Sequence, residues 1–112
     1  DGCRDDMGIV REEIFGPVMS VLEFSDEDEV VARANATEFG LSAGVFTNDI
    51  NRAFEAHRTL EVGGVIINDV SAFRADQMPY GGVKDSGLGR EGLRWAIEDM
   101  TEIRILVMAQ PA

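Results

Sequence analysis

Short apolar runs alternate along the chain with segments of helical periodicity, and this alternation limits the folds that the sequence can adopt. The runs cover residues 18–24, 41–46 and 65–68, and each intervening segment is long enough for a helix. Strands separated by helices of this length usually pair in parallel through right-handed crossovers. The sequence therefore predicts an α/β fold with a mostly parallel open sheet and flanking helices.

The predicted helices have recognisable ends and apolar faces. Ser25 is the expected N-cap of the first helix and Gly40 its C′ residue, while Asn48 or Asp49 caps the second. A third helix lies near the C-terminus. The apolar positions that should face a core are Val30, Val31 and Ala34 on the first helix; Ile50, Ala53, Phe54, His57 and Leu60 on the second; and Leu93, Ala96, Ile97 and Met100 on the third.

The segment from Glu102 to Met108 has the alternating pattern of a strand. Ile103, Ile105 and Val107 share one face, yet no obvious partner strand remains within the chain. An unpaired apolar edge is a template for another strand. We therefore expect this segment to pair with a second copy of the protein.

Composition and charge exclude several classes of protein. The 112 residues are 45% hydrophobic, enough for one modest core, and no apolar run could cross a membrane. A net charge of −11 with no basic stripe argues against nucleic acid as a partner. One cysteine leaves no internal disulfide, which fits a reducing compartment and a cytoplasmic location.

A rigid corner precedes the first apolar run. Gly16 permits a turn and Pro17 fixes its backbone, so Glu13 and Phe15 are held at the start of the predicted strand 18–24. Such a carboxylate can accept two hydrogen bonds from ribose hydroxyls, and the ring can cover a nicotinamide. A capped strand with a solvated acidic pair explains the same residues.

Several long motifs occur in an order that resembles the aldehyde dehydrogenase superfamily. The resemblance extends over nearly the whole chain and implies the last quarter or so of such an enzyme. The motifs are Glu13-Ile14-Phe15-Gly16-Pro17, residues 38–46, Val62-Gly63-Gly64-Val65-Ile66-Ile67-Asn68, residues 79–92 and Met100-Thr101-Glu102-Ile103. On this basis residues 1–101 form the end of a catalytic domain, and residues 102–112 form an oligomerisation strand and tail.

The resemblance also implies a function. The family oxidises aldehydes to carboxylates with NAD or NADP through a cysteine thioester, and Glu13 and Phe15 match its nicotinamide-ribose site. The nucleophile and general base of the family lie upstream, so Cys3 is a bystander and we expect no catalytic residue in this chain. The alternative is a non-catalytic binding or oligomerisation module with the same fold.

The loop from Asn68 to Tyr80 is the expected substrate-selecting segment. By resemblance, Phe73 and Tyr80 match aromatic positions that line the aldehyde channel. Arg74 either clamps an anionic group on a short aldehyde or forms a surface salt bridge. The sequence of the loop most resembles that of family members acting on lactaldehyde, glyceraldehyde phosphate and phosphonoacetaldehyde.

Two other features have structural interpretations. His57 is the one histidine, and it lies on the apolar stripe of the second helix, far in sequence from Cys3, so no metal site is expected. Gly81 and Gly82 lack the lysine-serine ending of a phosphate loop. We interpret these glycines as shaping the turn before the third helix.

Overall fold

The computed structural model describes residues 2–110. Residue 1 of the expected catalytic-domain part and residues 111–112 of the expected oligomerisation strand and tail lie outside the described residues. The chain contains both helices and strands, with a β–α–β unit at its centre, which confirms the α/β class. They are α1 (Gly8–Arg11), α2 (Glu27–Asn35), β1 (Phe39–Gly40), β2 (Ser42–Val45), α3 (Ile50–Thr59), β3 (Gly64–Ile67), β4 (Val83–Lys84) and α4 (Leu93–Met100).

Strands β2 and β3 pair in parallel, as the sequence predicts. Ser42 is opposite Gly64 and Val45 is opposite Ile67, and α3 forms the crossover between the two strands. Helix α3 begins where Asp49 accepts hydrogen bonds from the backbone N–H of Asn51 at 2.8 Å and of Arg52 at 3.4 Å. The second helix, its Asp49 cap and its parallel strands are therefore confirmed.

A second, antiparallel pair joins β1 to β4, with Phe39 opposite Lys84 and Gly40 opposite Val83. The parallel pairing thus holds for one of the two small sheets in residues 2–110. Gly40 is the buried residue of β1 and not a helix end, so its predicted C′ role is wrong. A Cβ there would lie 2.5 Å from the Glu61 carbonyl oxygen, which explains why the position requires glycine.

Helix α2 begins one residue later than predicted. Asp26, and not Ser25, is the N-cap, and its carboxylate accepts from the Glu29 N–H at 2.8 Å. Glu29 in turn accepts from the backbone N–H and hydroxyl of Ser25. These two hydrogen bonds, with a smaller effect of Arg33, hold the pKa of Glu29 below its usual value. The cap is a capping box in which the N3 carboxylate reaches one residue further back.

The first apolar run, residues 18–24, is not a strand in this structure. The run forms neither helix nor strand, and its contacts include a 3.3 Å hydrogen bond from Cys3 N–H to the Val21 carbonyl. A strand requires a neighbour for its backbone groups. No element within residues 2–110 pairs with this run, so it forms no strand despite its apolar pattern.

The C-terminal segment, residues 102–110, likewise forms neither helix nor strand. Ile103, Ile105 and Val107 are 94%, 90% and 76% exposed. Residues 102–110 take part in neither of the two described strand pairs, and pairing with a second copy stays a prediction.

A core is almost absent, which contradicts the expectation of one modest core. Ala53 is the one buried apolar residue in the part of the chain that the structure describes. The predicted inward positions Phe54, Leu93 and Met100 are 64%, 77% and 77% exposed. The radius of gyration is 19.6 Å, against about 13 Å for a compact domain of this length. Helices α3 and α4 form as predicted, but their apolar faces are open.

No helix within residues 2–110 is long and apolar enough to cross a membrane.

Candidate functional site

The loop between β3 and β4 carries the predicted substrate residues, and its first residue is held firmly. Asn68 has a positive φ of 60°, a conformation that asparagine tolerates better than most residues. Its side chain accepts from the Thr47 N–H at 2.8 Å and donates to the Thr47 carbonyl at 2.9 Å. The loop therefore leaves the parallel strand pair in a defined direction.

Phe73 and Tyr80 both line one small cleft, and their role in an aldehyde channel stays a prediction. Phe73 is 48% exposed, and Ser71 closes one side by accepting the Ser42 hydroxyl hydrogen bond at 2.9 Å. The cleft is lined by both strands of the parallel pair and by the loop, through Leu41, Ser42, Gly63, Gly64, Ile66, Ser71, Phe73, Met78, Pro79, Tyr80 and Gly81. Its wall is mostly apolar, and its free volume of about 10 Å³ is room for about one water molecule, so within this chain the cleft is a packed corner and not a formed channel.

Arg74 lies against Tyr80 at the edge of this cleft. The guanidinium carbon is 4.6 Å from the ring centroid, a cation–π distance. The same guanidinium makes a 3.4 Å ion pair with Glu91, in which the two side chains are 52% and 69% exposed. The structure therefore contains the surface salt bridge of one interpretation and also places the cation beside the cleft, as the other requires.

Tyr80 and Glu91 are fixed to each other through their backbones. They form an isolated antiparallel bridge, in which the Tyr80 N–H donates to the Glu91 carbonyl at 3.0 Å and the reverse bond is also present. The Tyr80 ring and the Glu91 carboxylate, which both contact Arg74, are thus carried by two hydrogen-bonded backbone segments.

Glycines allow two close backbone approaches near Tyr80, one between Gly63 and Gly81 and one between Gly82 and Ser86. A Cβ on Gly63 would lie 1.7 Å from the Gly81 carbonyl oxygen, and one on Gly82 would lie 2.5 Å from the Ser86 Cβ. These contacts agree with the interpretation that Gly81 and Gly82 shape a turn.

Glu13 and Phe15 lie apart from the cleft cluster within this chain. Phe15 is 98% exposed, and the turn beside it contains a 2.7 Å hydrogen bond from the Gly16 N–H to the Ile14 carbonyl. The Glu13 carboxylate is exposed and has no hydrogen bond or ion pair with any of residues 2–110. The assignment of Glu13 and Phe15 to a nicotinamide-ribose site stays a prediction.

The remaining candidates do not form a second site. Cys3 is half-buried, and His57 is exposed, so the predicted apolar stripe does not bury it in the described chain. Among residues 2–110, no three histidine, cysteine, aspartate or glutamate side chains cluster as metal ligands.

Sequence reasoning missed Glu91 and the role of Asn68. Glu91 follows Arg90 in a segment with positive φ at Gly87, Gly89 and Gly92, which brings the chain back beside Tyr80. The glycines were recognisable as turn-formers, but the pairing of Glu91 with Arg74 depends on a contact between distant residues. The polar Asn68 directly after an apolar strand was a usable signal, because parallel strands place such residues at a functional edge.

The protein-family model that matches this sequence is the aldehyde dehydrogenase family, over residues 1–106. The chain belongs to the aldehyde dehydrogenase family. The predicted resemblance is thereby confirmed.

Curated relatives and solved structures that resemble this chain are also aldehyde dehydrogenases. A 3-sulfolactaldehyde dehydrogenase from Priestia aryabhattai is 53% identical over 94% of this chain and 22% of that protein. The crystal structure of aldehyde dehydrogenase 21 from Physcomitrella patens, in complex with the reaction product succinate, is 53% identical with a TM-score of 0.82, covering 88% of this chain and 20% of that one. A glyceraldehyde-3-phosphate dehydrogenase from Methanocaldococcus jannaschii, complexed with NADP, is 54% identical with a TM-score of 0.68, covering 71% of this chain and 18% of that one.

The chain thus spans about a fifth of the length of the curated aldehyde dehydrogenases that it matches. The exposed apolar faces of α3 and α4 and the unpaired run 18–24 have the character of surfaces that a larger fold would cover.

Proposed function

We propose that residues 1–112 form the C-terminal part of an NAD- or NADP-dependent aldehyde dehydrogenase that oxidises an aldehyde to a carboxylate through a cysteine thioester. Family membership supports aldehyde oxidation, and the coverage of about a fifth of each relative supports a contributing segment. Residues 1–101 belong to the catalytic domain in this proposal, and residues 102–112 form an oligomerisation strand and tail in a homo-oligomer.

Glu13 and Phe15 would hold the nicotinamide end of the cofactor. The free Glu13 carboxylate accepts the ribose hydroxyls, and the open Phe15 ring packs beside the nicotinamide, which accepts a hydride when bound. The turn at Gly16 and Pro17 keeps both side chains in fixed relation, so they orient the cofactor without a covalent role. The NADP complex of the archaeal relative supports this class of cofactor, and NAD is the other candidate.

Phe73, Arg74 and Tyr80 would select the aldehyde. The observation that carries this proposal is the Arg74 guanidinium lying 4.6 Å from the Tyr80 ring centroid at the edge of an apolar cleft. The apolar wall of the cleft would border the carbon chain of an aldehyde held against it, while the planar guanidinium can form two hydrogen bonds with a carboxylate, phosphate or sulfonate. Three of the relatives' names fit an anionic substrate, since sulfolactaldehyde, succinate and glyceraldehyde 3-phosphate each carry an anionic group, whereas other relatives of similar identity are named for the neutral lactaldehyde and the cationic betaine aldehyde.

The covalent chemistry would come from outside these 112 residues. Cys3 precedes Glu13 closely in the chain and is half-buried beside the run 18–24, away from the cleft lining. In this proposal it takes no part in catalysis, and the segment aligns cofactor and substrate for a nucleophile and base supplied elsewhere.

An Arg74→Ala variant of the whole enzyme tests the substrate assignment. We expect its KM to rise strongly for 4-oxobutanoate and to stay near the wild-type value for butanal, which lacks the carboxylate. Arg94→Ala is the matched control, because Arg94 forms a similar exposed ion pair with Glu98 at 2.9 Å on α4. Equal changes for the charged and the neutral aldehyde would contradict the proposal.

A further inference from the structure

Glu91 forms an ion pair with Arg74, the residue that the proposed function assigns to an anionic substrate group. Its carboxylate lies 3.4 Å from the Arg74 Nη2, while the Tyr80 ring covers one face of the same guanidinium. The backbone bridge between Tyr80 and Glu91 keeps the carboxylate close to Arg74 even when the ion pair is open. We propose that Glu91 is an internal competitor for Arg74 and so sets how strongly the enzyme prefers anionic aldehydes; this inference rests on the proposed role of Arg74.

The ion pair is weak enough to exchange with substrate. Its length of 3.4 Å is long for a charge-assisted hydrogen bond, and both side chains are more than half exposed. A released Glu91 carboxylate returns to water and leaves no buried charge behind. An incoming anion therefore replaces one carboxylate by another at Arg74 at little cost.

Orientation of Arg74 does not depend on Glu91 alone. The Tyr80 ring holds the guanidinium plane at the edge of the cleft through the cation–π contact. Removing the Glu91 charge should leave that contact in place while it removes the competition for Arg74, so affinity for the anion should rise.

Neutral aldehydes give the contrasting case. They offer no group that can displace Glu91, so the ion pair stays closed while they react. Glu91 is thus a positioning residue that acts through Arg74, and its effect should appear in the KM for charged substrates rather than in catalysis of neutral ones.

The test uses the whole enzyme with 4-oxobutanoate and butanal as the charged and neutral substrates. In Glu91→Gln we expect the KM for 4-oxobutanoate to fall about two- to fivefold, the range of an exposed ion pair, with the KM for butanal unchanged. Glu98→Gln, which removes the same charge from the exposed pair with Arg94, should change neither value. An unchanged or higher KM for 4-oxobutanoate in Glu91→Gln, or an equal fall for both substrates, would overturn the proposal.

A double variant separates this inference from the proposed function beneath it. If Glu91 acts through Arg74, Glu91→Gln should have no further effect on substrate preference in an Arg74→Ala background. A persisting effect there would show that Glu91 acts on the substrate by another route. If Arg74→Ala alone leaves the preference for 4-oxobutanoate intact, the proposed role of Arg74 is wrong, and the inference about Glu91 that depends on it is wrong as well.

Discussion

Asn68 binds both backbone groups of Thr47, accepting from its N–H at 2.8 Å and donating to its carbonyl at 2.9 Å. One side chain thereby joins the ends of β2 and β3 where the chain enters the substrate loop. The positive φ of Asn68 turns the backbone at the same point.

Replacing Asn68 should destabilise the enzyme through two separable effects. Asn68→Gly loses the two hydrogen bonds but accepts the positive φ, and we expect a cost of about 1–2 kcal/mol. Asn68→Ala loses the same bonds and adds backbone strain of about 1 kcal/mol. Thermal inactivation should rank the wild type above Gly and Gly above Ala. Ala as stable as the wild type, or more stable than Gly, would contradict the explanation.

Adjacent glycines in the sequence should respond very differently to the same substitution. A Cβ at Gly63 would lie 1.7 Å from the Gly81 carbonyl oxygen, whereas at Gly64 the nearest atom is the Ser42 Cβ at 3.9 Å. Gly63→Ala should displace the Tyr80 segment and greatly reduce activity. Gly64→Ala is the matched control and should retain it. Similar activities of the two variants would show that the packing of residue 63 on residue 81 is not required.

The C-terminal segment should contribute to subunit assembly. Ile103, Ile105 and Val107 are almost fully exposed and unpaired, so a strand from another copy could bury them. Deleting residues 102–112 from the whole enzyme should shift its mass in light scattering toward smaller species. Ile105→Ser should weaken assembly more than Arg104→Ser, which alters the alternate face. An oligomer unaffected by the deletion would rule out this role.

The sequence predicted the local features of the fold well. Helix α3 follows from the Asp49 cap, and β2 and β3 follow from short apolar runs on either side of it. These signals depend on neighbours in sequence. Family resemblance pointed to the loop that carries Phe73, Arg74 and Tyr80, and the role of these residues in substrate selection stays a prediction.

Features that depend on distant partners were not predictable. The run 18–24 has a strand pattern but no strand to pair with, and α4 has an apolar face that remains open. Gly40 resembled a helix end, although its glycine is required by the close approach of Glu61. Glu91 reaches Arg74 only because several glycines return the chain to Tyr80.

The near absence of a core predicts how residues 1–112 behave on their own. With Ala53 as the one buried apolar residue in positions 2–110, the isolated chain should bind a hydrophobic dye and unfold gradually in denaturant. It should also turn over no aldehyde with NAD or NADP. A sharp unfolding transition without dye binding would indicate a core that this structure lacks. Turnover by the isolated chain, free of longer enzyme, would refute the proposed division of catalytic roles.

The most direct test of the central claim is the rate of hydride transfer in a Glu13→Gln variant of the whole enzyme. Glutamine keeps the shape but loses the charge that strengthens hydrogen bonds to the nicotinamide ribose, at a cost of about 1–3 kcal/mol in the barrier. Single-turnover measurement of NADH or NADPH formation should therefore show a rate about 5- to 150-fold lower, with aldehyde binding little changed. A hydride-transfer rate equal to that of the wild type would contradict the assignment of Glu13 to the cofactor.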